Sequence, residues 1–403
     1  MRLSFDVDDP ALARAAWSRI AEPGDRAVGS LIQALGPADA LRWLAGSTSW
    51  PGRPGPPDGV GAQAQTRQPG GGRDLDKLRE RWRARLDGLD PRRELRALER
   101  IGGWLATPEA SGWPARLDDL GTEAPFCLWV RSDRALAGRL DQALTLAVAV
   151  VGSRAATAYG ELVTATIVGD LAGYGVAVVS GGAFGIDAAA HRAALAQSAF
   201  TVAVMAGGVD RLYPLGNERL LTAVAGEGAV ISELPPGAAP RRERFLSRNR
   251  LIAALGQVTV VTESGWRSGA HRTANVAAEL LRPVGAVPGP VTAASSAGCH
   301  RLIRQGVATL VTGADEVREL LAPLGLVRLD EASGPDGPLD GLPPSDRQVF
   351  DSLPLRRGAA LTALVMSSGL ATPQVMASLS RLERAGRAVE SGGLWRKARV
   401  GSR

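Results

Sequence analysis

The sequence predicts an α/β protein built on an extended, Rossmann-like, doubly wound and mostly parallel sheet, with a small helical domain before it and a winged helix after it. Three observations carry that prediction. From about Leu144 the chain repeats a strand, loop and helix pattern through LAVAVVGS, VAVVSGG, FTVAVMAGG, GAVISEL, QVTVVTES and PVGAVPG. These runs are apolar throughout instead of alternating, as strands buried on both faces require. Most of the runs end in glycine, which is where an α/β sheet places its ligand-binding loops.

Residues 10–46 hold two helical patterns, ALARAAWSRIA and VGSLIQALGPADALRWLAG, separated by Gly and Pro, and read as a helical hairpin module of the SAM or helix-hairpin kind. Residues 47–73 shift to Gly, Pro, Gln and Ser, a composition with too little apolar surface to order itself, so a flexible loop is expected there. Helical periodicity returns over 74–105, and SGWPARLDDLGTEAPFCLWVRSD then leads through an irregular stretch into a short strand. The expected boundaries are 1–110 for the helical module, 111–326 for the Rossmann-like domain, 327–344 for a Gly/Pro-rich linker and 345–403 for a winged helix-turn-helix. The last assignment rests on helices expected at 345–353, 361–367 and from Thr372, followed by the Gly-turned AVESGGLWRKA.

The chain has 403 residues and a formal charge of +6, and its lysines are Lys77 and Lys397 alone, so nearly all its positive charge is guanidinium. Guanidinium binds phosphate bidentately and stacks on bases, although G- and C-rich coding also substitutes Arg for Lys; position must therefore decide. Cys127 and Cys299 lie far apart and share no ligand spacing with His191, His271 or His300, so neither a disulfide framework nor a metal site is expected. MRLSFDVDDP lacks the order of a signal peptide, and the apolar stretch from Ala143 to Val151 is too short to span a bilayer. A cytoplasmic protein with no membrane partner is expected.

Four loops could bind a ligand. Gly152-Ser153-Arg154 ends the first strand with a glycine that admits a phosphate, a hydroxyl that can donate to it and a guanidinium that can clamp it. Ser180-Gly181-Gly182-Ala183-Phe184-Gly185 opens a helix expected to start at Asp187 and reads as a phosphate cradle. Asp187 and His191 share a helix face, and an N-cap acid with a packing histidine is the plainer account than an acid/base pair. G-x-G-x-x-G is missing from the first βα turn, which argues against NAD or FAD, and no other cofactor is expected. The richest segment, 240–250, sets Arg241, Arg242, Arg244, Arg248 and Arg250 around Phe245, with Asn249, ahead of an apolar helix: cations to track a backbone and an aromatic to stack a base. The fourth loop, 264–270, offers Ser268 and Gly269 before a helix, with Glu263 at the strand end.

VVGSR, VVSGGAFGIDAAAH, Tyr213-Pro214 after GGVDR, SELPPG followed by PRRERFLSRNRLIAAL, SGA before an Ala-rich helix, and VPGP followed by GCHRLIRQG together resemble the DNA-processing protein A family, also called DprA or Smf, over about residues 100–320. The resemblance implies a protein without enzymatic activity that binds and protects single-stranded DNA, forms a homodimer and helps load the RecA recombinase in recombination and natural transformation. It implies strand-binding roles for Arg154, Arg242 and Phe245, with Asn249 and Arg250 nearby, and pocket-shaping roles for Gly152, Ser153, Gly181 and Gly185. The family often has a basic residue where Phe184 stands, so one phosphate contact is expected to be lost or replaced by stacking. Two other readings remain open. A phosphoribohydrolase-like nucleotide enzyme would need a PGGxGT-like loop and a poised glutamate, for which Glu263 is the nearest candidate. A duplex-binding regulator would use the winged helix, whose third helix carries Arg381 and Arg384 only late in its length.

Overall fold

A computed structural model describes residues 3–46, 73–322, 343–354 and 358–398. The expected flexible loop lies outside the described residues except for Arg73, as does nearly all of the expected linker. Nine strands form one sheet: β1 (Gly103–Ala106), β2 (Leu128–Ser132), β3 (Ala147–Val151), β4 (Ala177–Ser180), β5 (Thr201–Val204), β6 (Ala229–Ser232), β7 (Val258–Val261), β8 (Val284–Ala286) and β9 (Thr309–Leu310). Their order is β1-β2-β6-β5-β4-β3-β7-β8-β9. All neighbours are parallel except the β1–β2 and β2–β6 pairs. The apolar runs become strands because both faces are covered. On β3, Ala147, Ala149 and Val151 enter one core, whereas Val148 and Val150 enter another.

The N-terminal helices are α1 (Pro10–Ile20), α2 (Arg26–Ala45), α3 (Arg73–Arg83) and α4 (Pro91–Arg100). Asp9 and Asp25 cap the first two by accepting from backbone amides of the first turn. Gly36, at φ 76°, and Pro37 break α2 into two segments, and the indole of Trp17 donates to the Pro37 carbonyl at 3.0 Å. Trp17, Leu41, Leu44, Trp82 and Leu86 form the local core, but this core also takes in Phe126, from the segment leading to β2. The described residues up to 322 accordingly form one compact unit, with the helical module packed on the sheet domain. A short α5 (Leu140–Ala143) precedes β3.

The sheet helices are α6 (Ala158–Ala172), α7 (Ile186–Ala196), α8 (Glu218–Glu227), α9 (Arg242–Leu255), α10 (Gly269–Glu279), α11 (Ala297–Arg304) and α12 (Ala314–Leu321). Residues of α6, α7 and α12 cover one face of the parallel strands, and residues of α9, α10 and α11 cover the other. The chain steps from β3 outward to β6, then returns through α9 to place β7 on the other side of β3. Strand order therefore reverses between β3 and β7, and a crevice opens beyond their carboxyl ends.

One expectation changes here. The segment 240–250 is helical from Arg242 onward, not a loop before a helix. No Gly or Pro interrupts residues 241–255, and Glu243 in the first turn favours a helix start. Helical periodicity then turns Arg250 inward, where its guanidinium donates to both carboxylate oxygens of Glu233 at 2.8 and 2.6 Å. Both side chains are buried.

Residues 343–354 and 358–398 belong to a second unit. It holds α13 (Pro344–Ser352), α14 (Leu361–Ser368) and α15 (Thr372–Arg384), with β10 (Ala359–Ala360), β11 (Ala388–Ser391) and β12 (Leu394–Lys397) in the antiparallel order β10-β12-β11. Val349, Leu364, Val375, Leu379 and Leu382 form its core. Arg381 donates to the buried Asp346 carboxylate at 2.8 and 2.6 Å, which ties α15 to α13.

The Arg250–Glu233 pair sets the position of α9, and breaking it leaves the buried guanidinium with the more distant Glu123 carboxylate alone, 4.0 Å from Nε. Glu233→Ala should lower stability by about 3–5 kcal/mol in urea denaturation, while the double substitution Arg250→Met, Glu233→Leu should recover most of that loss.

Candidate nucleic-acid interface

The crevice is built by stitching three loops together through one residue's backbone. Ser153 N–H donates to the Glu263 carbonyl at 2.7 Å, joining the loops after β3 and β7, and Ser153 carbonyl accepts from Ile186 N–H at 3.1 Å, joining the start of α7. Two glycines permit that approach. A Cβ on Gly152 would lie 2.5 Å from Ile186 Cγ1 and 2.7 Å from the Glu263 carbonyl. Gly185 has φ +72°, and a Cβ there would sit 2.2 Å from the Ser153 carbonyl.

Above this floor lies a cleft of about 500 Å³. Gly152, Ser153, Arg154, Arg242, Phe245, Arg248, Asn249, Ser268 and Gly269 line it, so the structure brings together nine of the expected site residues. Arg154 is exposed, and its guanidinium carbon stands 5.3 Å from the centre of the Phe245 ring. Arg242 is exposed three residues before Phe245 on the same helix. Asn249 donates to the Gly269 carbonyl at 3.3 Å, and Ser268 Oγ caps α10 by accepting from Ala270 N–H at 3.2 Å. These two therefore shape the wall.

Not every expected site residue is free in the cleft. Arg248 is 5% exposed and forms part of the floor: its Nη1 donates to the carbonyls of Gly181, at 2.7 Å, and Val204. Burial lowers its pKa to about 10, so it stays charged as a fixed cation beneath the cleft. Arg250, 4% exposed, is withdrawn into its pair with Glu233. Arg241 lines a different cleft, with Arg19, Glu22, Arg85 and Arg244. Gly181 and Gly182 are buried, the first packed against the Arg248 guanidinium. Phe184 is 49% exposed but does not line the cleft; its ring lies over Gly216.

The loop 180–185 is also less free to cradle phosphate than its glycines suggested. Helix α7 starts at Ile186 with Gly185 at the cap position, so Asp187 lies inside the first turn and accepts from Ala183 N–H at 3.3 Å. Burial raises the Asp187 pKa, opposed by the Arg248 charge. His191 is a packing residue: its Nδ1 is 2.8 Å from Thr201 Oγ1, whose hydroxyl donates to the Val178 carbonyl at 3.1 Å. The hydroxyl proton is thus spent, so Nδ1 carries the imidazole hydrogen. Glu263, the candidate for glycosidic chemistry, is buried, and its Oε2 accepts from Thr157 N–H and Oγ1, both at 3.0 Å, which anchors the start of α6. Among the described residues no cluster of His, Cys, Asp and Glu could hold a metal ion, and no helix is long and apolar enough to cross a membrane.

Sequence reasoning left out Tyr213 and Arg267 as site residues. Tyr213, 47% exposed, sets its ring 5.8 Å from that of Phe245, and Arg267 lines the cleft. The Tyr-Pro pair was a usable signal for Tyr213. For Arg267 the usable signal was its place in the loop 264–270, beside Ser268 and Gly269.

The fold and cleft define a Rossmann-type α/β protein whose switch-point crevice is lined by arginine and an aromatic ring. The model of the family DNA recombination-mediator protein A matches residues 104–322, and the chain belongs to that family. A Mycobacterium tuberculosis protein named as a DNA processing protein DprA is 42% identical over 406 residues, covering 98% of this chain and 96% of the relative. Protein Smf of Escherichia coli K12 is 36% identical over 273 residues, covering 66% and 70%. The X-ray structure of DprA from Streptococcus pneumoniae superposes with a TM-score of 0.54 at 32% identity, covering 61% of this chain and 85% of that one.

Burial of His191 depresses its pKa from 6.5 to about 3, so the fold disfavours the imidazolium and binds fewer protons than the unfolded chain between those values. The His191 contribution is intact above pH 6.5 and declines as pH falls towards 3, by up to about 1.4 kcal/mol per pH unit. The stability advantage of wild type over His191→Gln in urea should therefore shrink between pH 7 and pH 4.

Proposed function

We propose that this protein binds single-stranded DNA in the Arg154–Phe245 cleft, performs no covalent chemistry on it, and acts as a recombination mediator that protects the strand and helps load the RecA recombinase. The observation that carries the reading is the pairing of an exposed guanidinium with a partly exposed ring at the switch point of the sheet. Arg154 and Arg242 neutralise successive phosphates and release counterions, with the fixed charge of Arg248 below them. Phe245, with Tyr213 beside it, offers stacking surface to any base, so binding tolerates sequence. Single strands are favoured because unstacked bases can reach these rings.

Loading of RecA and a role in natural transformation rest on family membership, as does a homodimer that would extend the groove. The second unit fits a partner-docking or regulatory winged helix better than a duplex reader. Of the two arginines late in α15, Arg381 is engaged with Asp346, and the exposed start of the helix offers Thr372, Pro373 and Gln374 but no cation. A nucleotide-cleaving enzyme is disfavoured because Glu263 is committed to Thr157.

Fluorescence anisotropy of a labelled oligonucleotide at several salt concentrations tests the cleft. Wild type should bind single strands more tightly than duplex, and Arg154→Ala or Arg242→Ala should each flatten the slope of log affinity against log salt by roughly 0.7. Phe245→Ala should weaken binding about tenfold or more with little change of slope. Binding indifferent to all three substitutions would overturn the assignment. For RecA loading, the expected result is faster RecA assembly on a strand precoated with single-strand-binding protein when wild type is added, and no acceleration with Arg154→Ala.

A further inference from the structure

The loop after β7 carries an unexplained aromatic. Trp266 is 52% exposed, although the residues on either side of it, Gly265 and Arg267, line the cleft. Tryptophan is enriched at interfaces, where its apolar body and polar N–H can both be used, and this one sits beside the cleft.

The indole is held in place. The Arg301 guanidinium carbon, from α11, lies 4.9 Å from the ring centre, and Arg301 Nη2 is 2.5 Å from Nδ1 of the buried His271 on α10. A guanidinium can only donate, so His271 Nδ1 is the acceptor in this contact, and burial and then the Arg301 charge lower the His271 pKa. Gly298 keeps room for this arrangement, since a Cβ there would stand 2.4 Å from His271 Nε2. The guanidinium covers one side of the indole, and half of the residue still faces solvent. Arg267, Arg272 and Arg304 in the same loop and helices are exposed and make no ion pair among the described residues, so the surroundings are cationic.

We propose that Trp266, backed by Arg301, is a second base-stacking platform, on which a strand leaving the Arg154–Phe245 cleft across Arg267 and Ser268 lays a further base. The proposal rests on the reading of the cleft as a single-strand site. Its chemistry differs from that of the cleft arginines. An indole neutralises no phosphate, so it should contribute affinity without salt dependence, and only to strands long enough to reach it.

The test is binding of oligo-dT of increasing length, from about 4 to about 16 nucleotides, to the full chain. Trp266→Ala should weaken binding of the long strands about tenfold, leave the shortest unaffected and keep the salt slope of wild type, while Trp266→Phe should retain most of the affinity. An abasic residue moved along the long strand should reveal one position at which it weakens wild type but not Trp266→Ala. If Trp266→Ala binds every length as wild type does while Arg154→Ala is weakened, the second platform is overturned and the cleft stands. If wild type binds no strand, both fall.

Discussion

The site depends on the backbone of Ser153 lying between two other loops. Its amide is committed to Glu263 and its carbonyl to Ile186, so the ends of β3 and β7 and the start of α7 move as one piece. That junction exists only because Gly152 and Gly185 leave no Cβ in the way, and because Glu263, buried beneath, anchors the start of α6 through Thr157. A flexible polyanion binds most tightly to groups already held in place, since ordering them on binding would cost affinity. Arg154 extends into the cleft from this pinned loop.

The arginines of α9 and of its N-cap, Arg241, show how one short segment can give the same side chain several tasks. Arg242 faces the cleft, Arg241 faces a neighbouring one, Arg244 donates to Glu22 at the end of the N-terminal hairpin, and Arg248 and Arg250 are buried. Burying a guanidinium is costly unless its donors are met, and the terminal nitrogens have partners, carbonyls for Arg248 and a carboxylate for Arg250, although Nε of each is left without a hydrogen bond. The Arg244–Glu22 contact also makes the N-terminal helices a brace for α9. They are part of the site's support, not an appendage to it.

Much of this was legible in the sequence where the physics is local. The six apolar runs became six parallel strands because continuous apolar sequence cannot face water on either side. Gly152 and Gly185 could be singled out because a glycine after a strand signals close backbone approach. What misled was the density of charge in 240–250. Charge density does not show that a helix begins at Arg242, and its periodicity sends residues adjacent in sequence to different surroundings, so that Arg250 lies away from Arg154. The cap falls on Gly185, two positions before Asp187, which makes Asp187 a buried carboxylate inside the first turn under the glycine loop.

The sequence by itself determined the class of fold, the order of its elements, the positions of the ligand-facing loops and the arginine and aromatic chemistry available to them. Those follow from periodicity and residue type, which act over a few residues. Only the tertiary structure decided which arginines are free. A guanidinium's availability depends on whether a carbonyl or carboxylate distant in sequence reaches it first, as Glu233 reaches Arg250, Asp346 reaches Arg381 and Gly181 reaches Arg248. Within the sheet domain those encounters are set by the reversal of strand order between β3 and β7 and the packing of the helices beside it, and in the second unit by the packing of α15 on α13, which no local pattern encodes.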